Sequence, residues 1–127
     1  MSFDIVNPGP LGQPSGWNHG MLAPAGGRVL FVAGQTAASA GSIVEQWERV
    51  LERVLAVVRA AGGAPEDIGR MTVYVTDRAA YLAARRALGE VHRRHMGKHY
   101  PAMALLEVKA LVDDGALVEI EATAVIP

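Results

Sequence analysis

Two glutamates near the end of the chain are the first candidates for chemistry. Glu119 and Glu121 lie in the segment VEIEATAV, where apolar and polar residues alternate. A strand there would place both carboxylates on one face. Paired carboxylates can act as acid and base when their environments separate their pKa values. The same spacing is also typical of the polar face of an ordinary strand, and these residues alone leave both interpretations open.

Three histidines form a second candidate group at the end of a predicted helix. His92 and His95 lie about one helical turn apart, and His99 follows shortly after them. A metal site is one interpretation, because imidazole is a common zinc ligand. However, no carboxylate flanks the set in a recognised metal motif, and imidazolium suits the C-terminal end of a helix dipole. We therefore favour a solvated helix end and expect no metal site.

Basic residues are concentrated in the same helix, and they are Arg78, Arg85, Arg86, Arg93, Arg94 and Lys98. A groove for nucleic acid would combine such a stripe with aromatic residues and a basic overall balance. The chain instead carries 12 Lys and Arg against 13 Asp and Glu. Arg86 and Arg94 both have helical ion-pair spacing to Glu90. The pattern favours a solvated, ion-paired face, and no nucleic-acid partner is expected.

Composition limits the remaining function classes. A length of 127 residues fits one domain, 1–127. The absence of cysteine excludes disulfides and thiolate metal sites and favours a reducing, cytoplasmic location. No basic segment followed by an apolar stretch opens the chain, and no apolar run is long enough to cross a bilayer. Phosphate-binding glycine loops and a G-x-S-x-G nucleophile motif are also absent.

The elements that would position these residues are two helices and several strands. Ser42 and Glu45 form a capping box at the start of the first helix, which Gly62 or Gly63 ends. Asp77 caps a second helix over Arg78–Met96. The predicted strands are Arg28–Gly34, the alternating segment IGRMTVYVTD, Ala102–Leu111 and Leu117–Ile126, with a short one near Ile5 or Met21. The sequence DDG, residues 113–115, predicts a hairpin between the last two long strands.

Two helices can cover only one face of such a sheet. Val118, Ile120 and Ala122 mark the core face of the last strand, whereas its other face mixes apolar and charged residues. Leu105 and Glu107 give the preceding strand a similarly mixed side. The strand Arg28–Gly34 does not alternate, so we expect both of its faces to be covered. These patterns together predict a homo-oligomer in which another subunit covers the second sheet face.

Four segments carry a resemblance to a known family: VAGQT (32–36), VLAVVRAAGGAPEDIGRMTVYVTD (54–77), YPAMALLEVKAL (100–111) and VEIEATAV (118–125). With them the chain resembles the RidA/YjgF family of reactive-intermediate deaminases, also called endoribonuclease L-PSP proteins. The resemblance runs from GWNHG to near the end of the chain. It implies a chorismate-mutase-like α+β fold, with two helices packed on one face of a mixed sheet. It also implies a homotrimer with sites in clefts between subunits and no metal or cofactor.

The resemblance assigns roles to five positions. It implies that Glu119 positions or activates the attacking water and that the backbone at Leu105 contacts the substrate. Trp17 stands where the family usually has tyrosine, and Ala33 where it often has serine. Met103 replaces the arginine that forks onto the substrate carboxylate. Methionine cannot donate a hydrogen bond, so this change removes a contact worth about 1.5–3 kcal/mol.

Arg86 is a candidate replacement for that lost cation. Counted back from Pro101, it stands where active relatives often carry a helix asparagine near the cleft. A solvated arginine paired with Glu90 is the favoured alternative, because exposed pairs demand little of their geometry.

Three functions follow from the resemblance, in decreasing order of support. The first is cofactor-free hydrolysis of imines or enamines, such as 2-imino acids, to the keto acid and ammonia, with substrate specificity altered by Met103. The alternative is a metabolite-binding or regulatory trimer without catalysis. Endoribonuclease activity comes last, since it rests only on a family label.

Overall fold

The structure is a computed structural model that describes residues 2–127. Its helices are α1 (Ile43–Ala60) and α2 (Arg78–Met96), and two short 3-10 helices cover Gly9–Leu11 and Pro65–Asp67. Its strands are β1 (Asp4–Val6), β2 (Gly20–Leu22), β3 (Arg28–Gln35), β4 (Ile68–Val75), β5 (Ala102–Glu107) and β6 (Val118–Ile126). The predicted elements are thus confirmed in type, and the short strands near Ile5 and Met21 both exist and pair with each other.

The helix ends follow the capping residues. Ser42 accepts a hydrogen bond from the Glu45 backbone N–H, and the Glu45 carboxylate accepts one from the Ser42 N–H, which completes the predicted capping box. Asp77 accepts a hydrogen bond from the N–H of Ala80 at the start of α2. These side chains satisfy backbone donors that have no partner within a helix. Both predicted caps are confirmed.

The main sheet has the strand order β3-β6-β4-β5, in which only the β4–β5 pair is parallel. The predicted hairpin between β5 and β6 is therefore wrong. Helix α2 connects β4 to a parallel neighbour, so β5 occupies the edge beside β4. The connection after Glu107 then crosses to the other side of β4. There β6 lies between two partners, which suits a strand whose core-facing side chains are all buried.

Both helices pack on one face of the sheet, and the α+β fold class is confirmed. The opposite face, which we call the outer face, stays open in the single chain. On β3 the side chains of Val29 and Phe31 are 56% and 79% exposed, so the prediction that both faces of this strand are covered is wrong for one chain. Leu30 and Val32 alternate with them and point into the core.

Strand β5 presents Met103 and Leu105 to the helix side, whereas Leu106 alternates to the outer face. Met103 and Leu105 align with Met71 and Val73 of β4, and all four belong to or pack against the core beneath the helices. The predicted placement of Leu105 on the second, subunit-facing side is therefore wrong. Leu105 faces the helices because the parallel pairing with β4 determines which β5 side chains point to each face of the sheet.

In the described part of the chain, no helix combines the length and the apolar character that crossing a bilayer would need.

Candidate functional site

A cavity of about 630 Å³ lies between α2, the start of β5 and the N-terminal loop. Trp17 contributes to it from the loop, Met103 and Leu105 from the strand, and Trp47 from α1. Three of the residues predicted for substrate binding therefore line one cavity. Pockets of this size, mostly apolar with a few polar groups, are typical of sites for small molecules.

Asn18 holds the loop that carries Trp17 against the start of β5. Its backbone N–H donates to the carbonyl of Pro101 (3.1 Å), and its side-chain amide donates to the carbonyl of Tyr100 (2.6 Å). Asn7 donates to the Asn18 side-chain oxygen at 2.8 Å. These bonds hold the backbone next to Trp17 against the start of β5, and Trp17 itself lines the cavity.

Helix α2 contributes the opposite wall of the cavity. Tyr81, Arg85, Leu88, Gly89 and His92 line it from one helical face. Among the predicted site residues, Arg86 does not line this cavity and is exposed. The spacing Tyr81–Arg85–Gly89, counted in steps of four from the start of the helix, is the sequence signal that points to Arg85.

Aromatic side chains stack in pairs on the cavity walls. The rings of Trp47 and Tyr81 lie 5.8 Å apart at 22°, and those of His92 and Tyr100 lie 4.9 Å apart at 4°. Burial lowers the pKa of His92, although its hydrogen bond to the carbonyl of His99 opposes that effect. Two stacked pairs of flat rings thus form part of the cavity wall.

Glu119 lies on the outer face of the sheet, beside a β-bulge in β3. Between Val32 and Gln35 the pairing shifts, so three steps along β3 match two along β6. Ala33 and Gly34 occupy this bulge, a feature that often adjoins active sites. A Cβ atom added to Gly34 would lie 2.6 Å from Oε2 of Glu119. The carboxylate therefore packs directly over the glycine.

Glu121 shares the outer face with Glu119 but has a partner of its own. The hydroxyl of Tyr74 donates to Oε1 of Glu121 at 2.8 Å, and this bond raises the pKa of Tyr74. The Glu119 carboxylate has no such side-chain partner within residues 2–127. The two glutamates that the sequence pairs are therefore in different environments, with Glu119 the one left available for other contacts.

One chain does not bring Glu119 to Met103. Strands β6 and β5 are separated by β4, which corresponds to about 10 Å at the usual strand spacing. The two side chains also point to opposite faces. The predicted site residues thus form two groups, the cavity group Trp17, Met103 and Leu105 and the outer-face group Ala33 and Glu119.

The histidines near the end of α2 do not converge on one point. His92 bonds to the carbonyl of His99, whose own Nε2 lies 2.6 Å from the carbonyl of Ile68, and both rings are partly buried. His95 Nε2 lies 3.2 Å from a carboxylate oxygen of Glu48 on α1. The expectation of a solvated helix end is therefore wrong, because His92 and His95 link α2 to neighbouring segments and His99, just after the helix, contacts the start of β4.

The predicted ion pairs of Glu90 are not formed among the described residues. Arg94 instead pairs with Glu48, and this contact lowers the pKa of the Glu48 carboxyl. Glu48, Glu52 and His95 have their ligand atoms within 4.8 Å of one another. With Arg94 already on Glu48, this group is an ionic link between α1 and α2.

Comparisons with known proteins agree with this architecture. Residues 14–126 match the family model described as Endoribonuclease L-PSP. The chain is 34% identical over 105 residues to a RutC family protein of Pyrococcus abyssi. The aligned region covers 77% of this chain and 79% of that protein. It is also 34% identical over 108 residues to TdcF of Escherichia coli, which is provisionally named a reactive intermediate deaminase. That alignment covers 78% of this chain and 80% of TdcF.

Solved structures give the same relationship. YyfB of Yersinia pestis, described as a protein of unknown function of the conserved Rid family, matches with a TM-score of 0.84 and 31% identity over 99% of this chain and 100% of that chain. A member of the YjgF/YER057c/UK114 family from Mycobacterium tuberculosis matches with a TM-score of 0.66 and 32% identity over 98% and 100%. From the family model, the relatives and the fold together, this chain belongs to the RidA/YjgF family.

Proposed function

We propose that this protein is a cofactor-free imine or enamine hydrolase of the deaminase type, whose substrate specificity is altered by Met103. Its active site would consist of the cavity of one chain and the Glu119 group of a second copy. The observation that carries the proposal is the division of the predicted site into two groups on opposite faces of one sheet. Each group is incomplete alone, and a second copy could supply the missing one.

The outer face supports such an assembly. Phe31 and Val29 are exposed apolar side chains on β3, the strand that also carries Ala33 and Gly34. Covering Phe31 alone would stabilise an interface by about 1.5–3 kcal/mol, because a large apolar side chain would leave water. Closed homo-oligomers are the usual outcome of such self-association. A homotrimer, as the resemblance implies, would create three equivalent sites.

The proposed reaction uses water as its only co-reactant. Glu119 accepts a proton from the water while the water oxygen forms a bond to the carbon of the C=N group. The electron pair of the C=N bond moves to nitrogen, which takes the proton from Glu119, and a carbinolamine results. Glu119 then accepts the proton of the carbinolamine hydroxyl while the C–N bond breaks. That proton passes to the leaving nitrogen, so that ammonia and the keto acid are released and Glu119 is again a carboxylate. Beyond the bridge from Asn18 to Ala102, the free edge of β5 has no strand beside it in the described chain, so the backbone at Leu105 can contact the substrate.

Glu119→Gln tests the proposal, with Glu121→Gln as its matched control. The measurement is ammonia release from 2-imino acids generated in situ. Glutamine cannot accept the proton, so we expect turnover to fall about 100-fold or more. Glu121→Gln removes a carboxylate from the same strand face, yet we expect turnover within about threefold of the wild type, since Glu121 is bonded to Tyr74. Full activity of the Glu119→Gln variant would refute the proposal.

Met103→Arg tests the part of the proposal that assigns the altered substrate specificity to Met103. On 2-iminopropanoate, an added arginine fork should raise kcat/KM about ten- to 100-fold, which corresponds to a charge-assisted hydrogen bond. A variant no better than the wild type on this small substrate would show that position 103 does not set specificity.

The metabolite-binding trimer without catalysis is the second candidate. The observation that favours it is the apolar Met103 at the wall where relatives are expected to hold the substrate carboxylate. Its signature would be thermal stabilisation by a ligand that releases no ammonia.

A further inference from the structure

We propose that the cavity selects 2-imino acids with an aromatic side chain and that Arg85 binds their carboxylate. The inference deepens the proposed function and rests on it for the identity of the reacting group. Arg85 would be a specificity-determining residue that acts from the helix wall, whereas Met103 leaves the strand wall apolar.

The charge of the cavity favours an anionic ligand. Among the described residues, 2–127, Arg85 and Arg93 both line it, and no aspartate or glutamate does. Within residues 2–127 the arginine–carboxylate pairs involve Arg49 and Arg94, so the two cavity arginines are not neutralised by a neighbouring acid. Arg85 uses its Nε to donate to the carbonyl of Leu82 at 3.3 Å. Its two terminal nitrogens remain free to fork onto a carboxylate.

The walls of the cavity favour a flat, apolar side chain. Trp17 is 38% exposed at the rim, and its indole meets His19 edge-on with a centroid distance of 4.6 Å. A ligand ring could therefore cover the free indole surface. Tyr81 lies on the helix wall, and Met103 offers a sulfur that makes favourable contacts with aromatic rings. An aromatic group would contact these side chains, whereas a methyl group would leave most of their surface unused.

The two ends of the proposed ligand therefore lie at different walls of the cavity. A carboxylate held by Arg85 lies at α2, so the strand wall at Met103 and the rim at Trp17 are left for the side chain. An arginine at position 103 would instead draw the carboxylate to β5. The substitution by methionine thus both removes one anion contact and creates room for an apolar group.

Calorimetric titration of two stable keto acids tests the inference without turnover. Phenylpyruvate and pyruvate carry the same carboxylate and differ in the aromatic ring. We expect phenylpyruvate to bind about tenfold or more tightly than pyruvate, since contacts between aromatic rings add to the gain from burying the ring. Trp17→Ala should reduce the ratio of the affinity for phenylpyruvate to that for pyruvate, because it removes the indole surface that the ligand ring would cover. Equal affinities of the wild type for the two acids would overturn the aromatic preference.

Arg85→Gln and Arg86→Gln form a matched pair for the carboxylate contact. Both remove one positive charge from an exposed position of α2, and glutamine is a good helix former. Arg85→Gln should weaken the binding of phenylpyruvate about tenfold or more. Arg86 lies outside the cavity, so Arg86→Gln should change that affinity less than about twofold. Equal losses would mean that only long-range charge matters, and the role of Arg85 would be refuted.

Ammonia release from the corresponding imines separates this inference from the proposed function. Selective binding of phenylpyruvate without release from its imine would refute the hydrolase and leave the ligand preference supported. Release from small imines without any aromatic preference would support the hydrolase and overturn the preference.

Discussion

At the scale of single residues, the position of one carboxylate depends on the absence of one methyl group. Gly34 lies in the bulge of β3, and Glu119 packs over it at a distance that a Cβ atom could not share. Its backbone does not adopt a positive φ, so the need for glycine here is a matter of space. The sequence showed the glutamate, but the bulge that brings Gly34 beneath it arises from pairing with β6 and leaves no local pattern.

Gly34→Ala should therefore impair activity more than stability. The new Cβ would displace the flexible end of Glu119, which costs little in folding but moves the proposed base. We expect turnover to fall about tenfold or more while the free energy of unfolding changes by less than about 1 kcal/mol. Ammonia release and urea unfolding measure the two effects. In a Glu119→Gln background the same change should have no further effect on turnover, and an undiminished effect there would contradict this explanation.

His92 should make stability depend on pH. Burial lowers its pKa below the ordinary value of about 6.5, and the nearby charges of His99 and Arg93 add to that effect. The unfolded chain therefore takes up a proton at a higher pH than the folded one. The contribution of His92 is complete above the unfolded pKa, and it declines as the pH falls from there through the lower, folded pKa.

Urea unfolding between about pH 7.5 and 5 measures this contribution, with His92→Phe as the comparison. Phenylalanine can keep the stacking with Tyr100, but it does not titrate. The stability advantage of the wild type over the variant should shrink as the pH falls. An advantage that stays constant or grows on acidification would contradict the prediction.

At the scale of elements, the sequence predicted what is determined locally. Helix α2 begins and ends where Asp77 and Gly97 indicate, because caps are set by neighbouring residues. Counting back from Pro101 places Arg86 near the cleft, but this count crosses Gly97, whose φ of +62° ends the regular geometry of the helix. Counting forward from the cap keeps the phase and leads to Arg85. The misplaced hairpin has a similar origin, since the choice between β4 and β5 as a partner for β6 is not local.

Gln46 shows how the long connection between β5 and β6 is held in place. This side chain is buried in α1, and its amide donates to the carbonyls of Gly41 (3.0 Å) and Gly115 (3.1 Å). Its oxygen accepts from the N–H of Leu117 at 2.8 Å. A single glutamine thus joins the start of α1 to the segment that leads into β6.

Gln46→Leu should destabilise the fold by about 2–4 kcal/mol, because it leaves buried backbone groups without partners. The measurement is the free energy of unfolding in urea. Gln13→Leu, a change of the same type at an exposed position, should alter that free energy by less than about 0.5 kcal/mol. A Gln46→Leu variant as stable as the wild type would show that water or rearrangement satisfies these groups.

At the scale of the whole molecule, the sequence indicated an open second sheet face, and the structure places exposed Phe31 and Val29 there. The sequence could not indicate that Met103 and Leu105 face the helices while Glu119 faces away from them, because the pairing of β5 with β4 determines which β5 side chains point to each face. The division changes the meaning of the individual substitutions. In the proposed site, a variant of Glu119 and a variant of the cavity would damage different halves, and two defective chains could together form one intact site.

Mixing two inactive variants tests this consequence. Glu119→Gln removes the proposed base, and Gly89→Phe should fill the cavity from α2. Apart from the backbone of the same helix, the atom nearest to a Cβ at position 89 is Nη1 of Arg93, at 3.5 Å, an ordinary contact distance. In co-refolded oligomers each site would draw its two halves at random from the two chains. About a quarter of the sites would then have both halves intact if they form between neighbouring copies. Ammonia release by the mixture should therefore recover to about a quarter of the wild-type rate, an estimate that follows from this closed symmetry.

Each variant refolded alone should stay inactive. No recovery, in mixtures shown by mass spectrometry to contain hybrid oligomers, would mean that Glu119 and the cavity do not share a site across an interface.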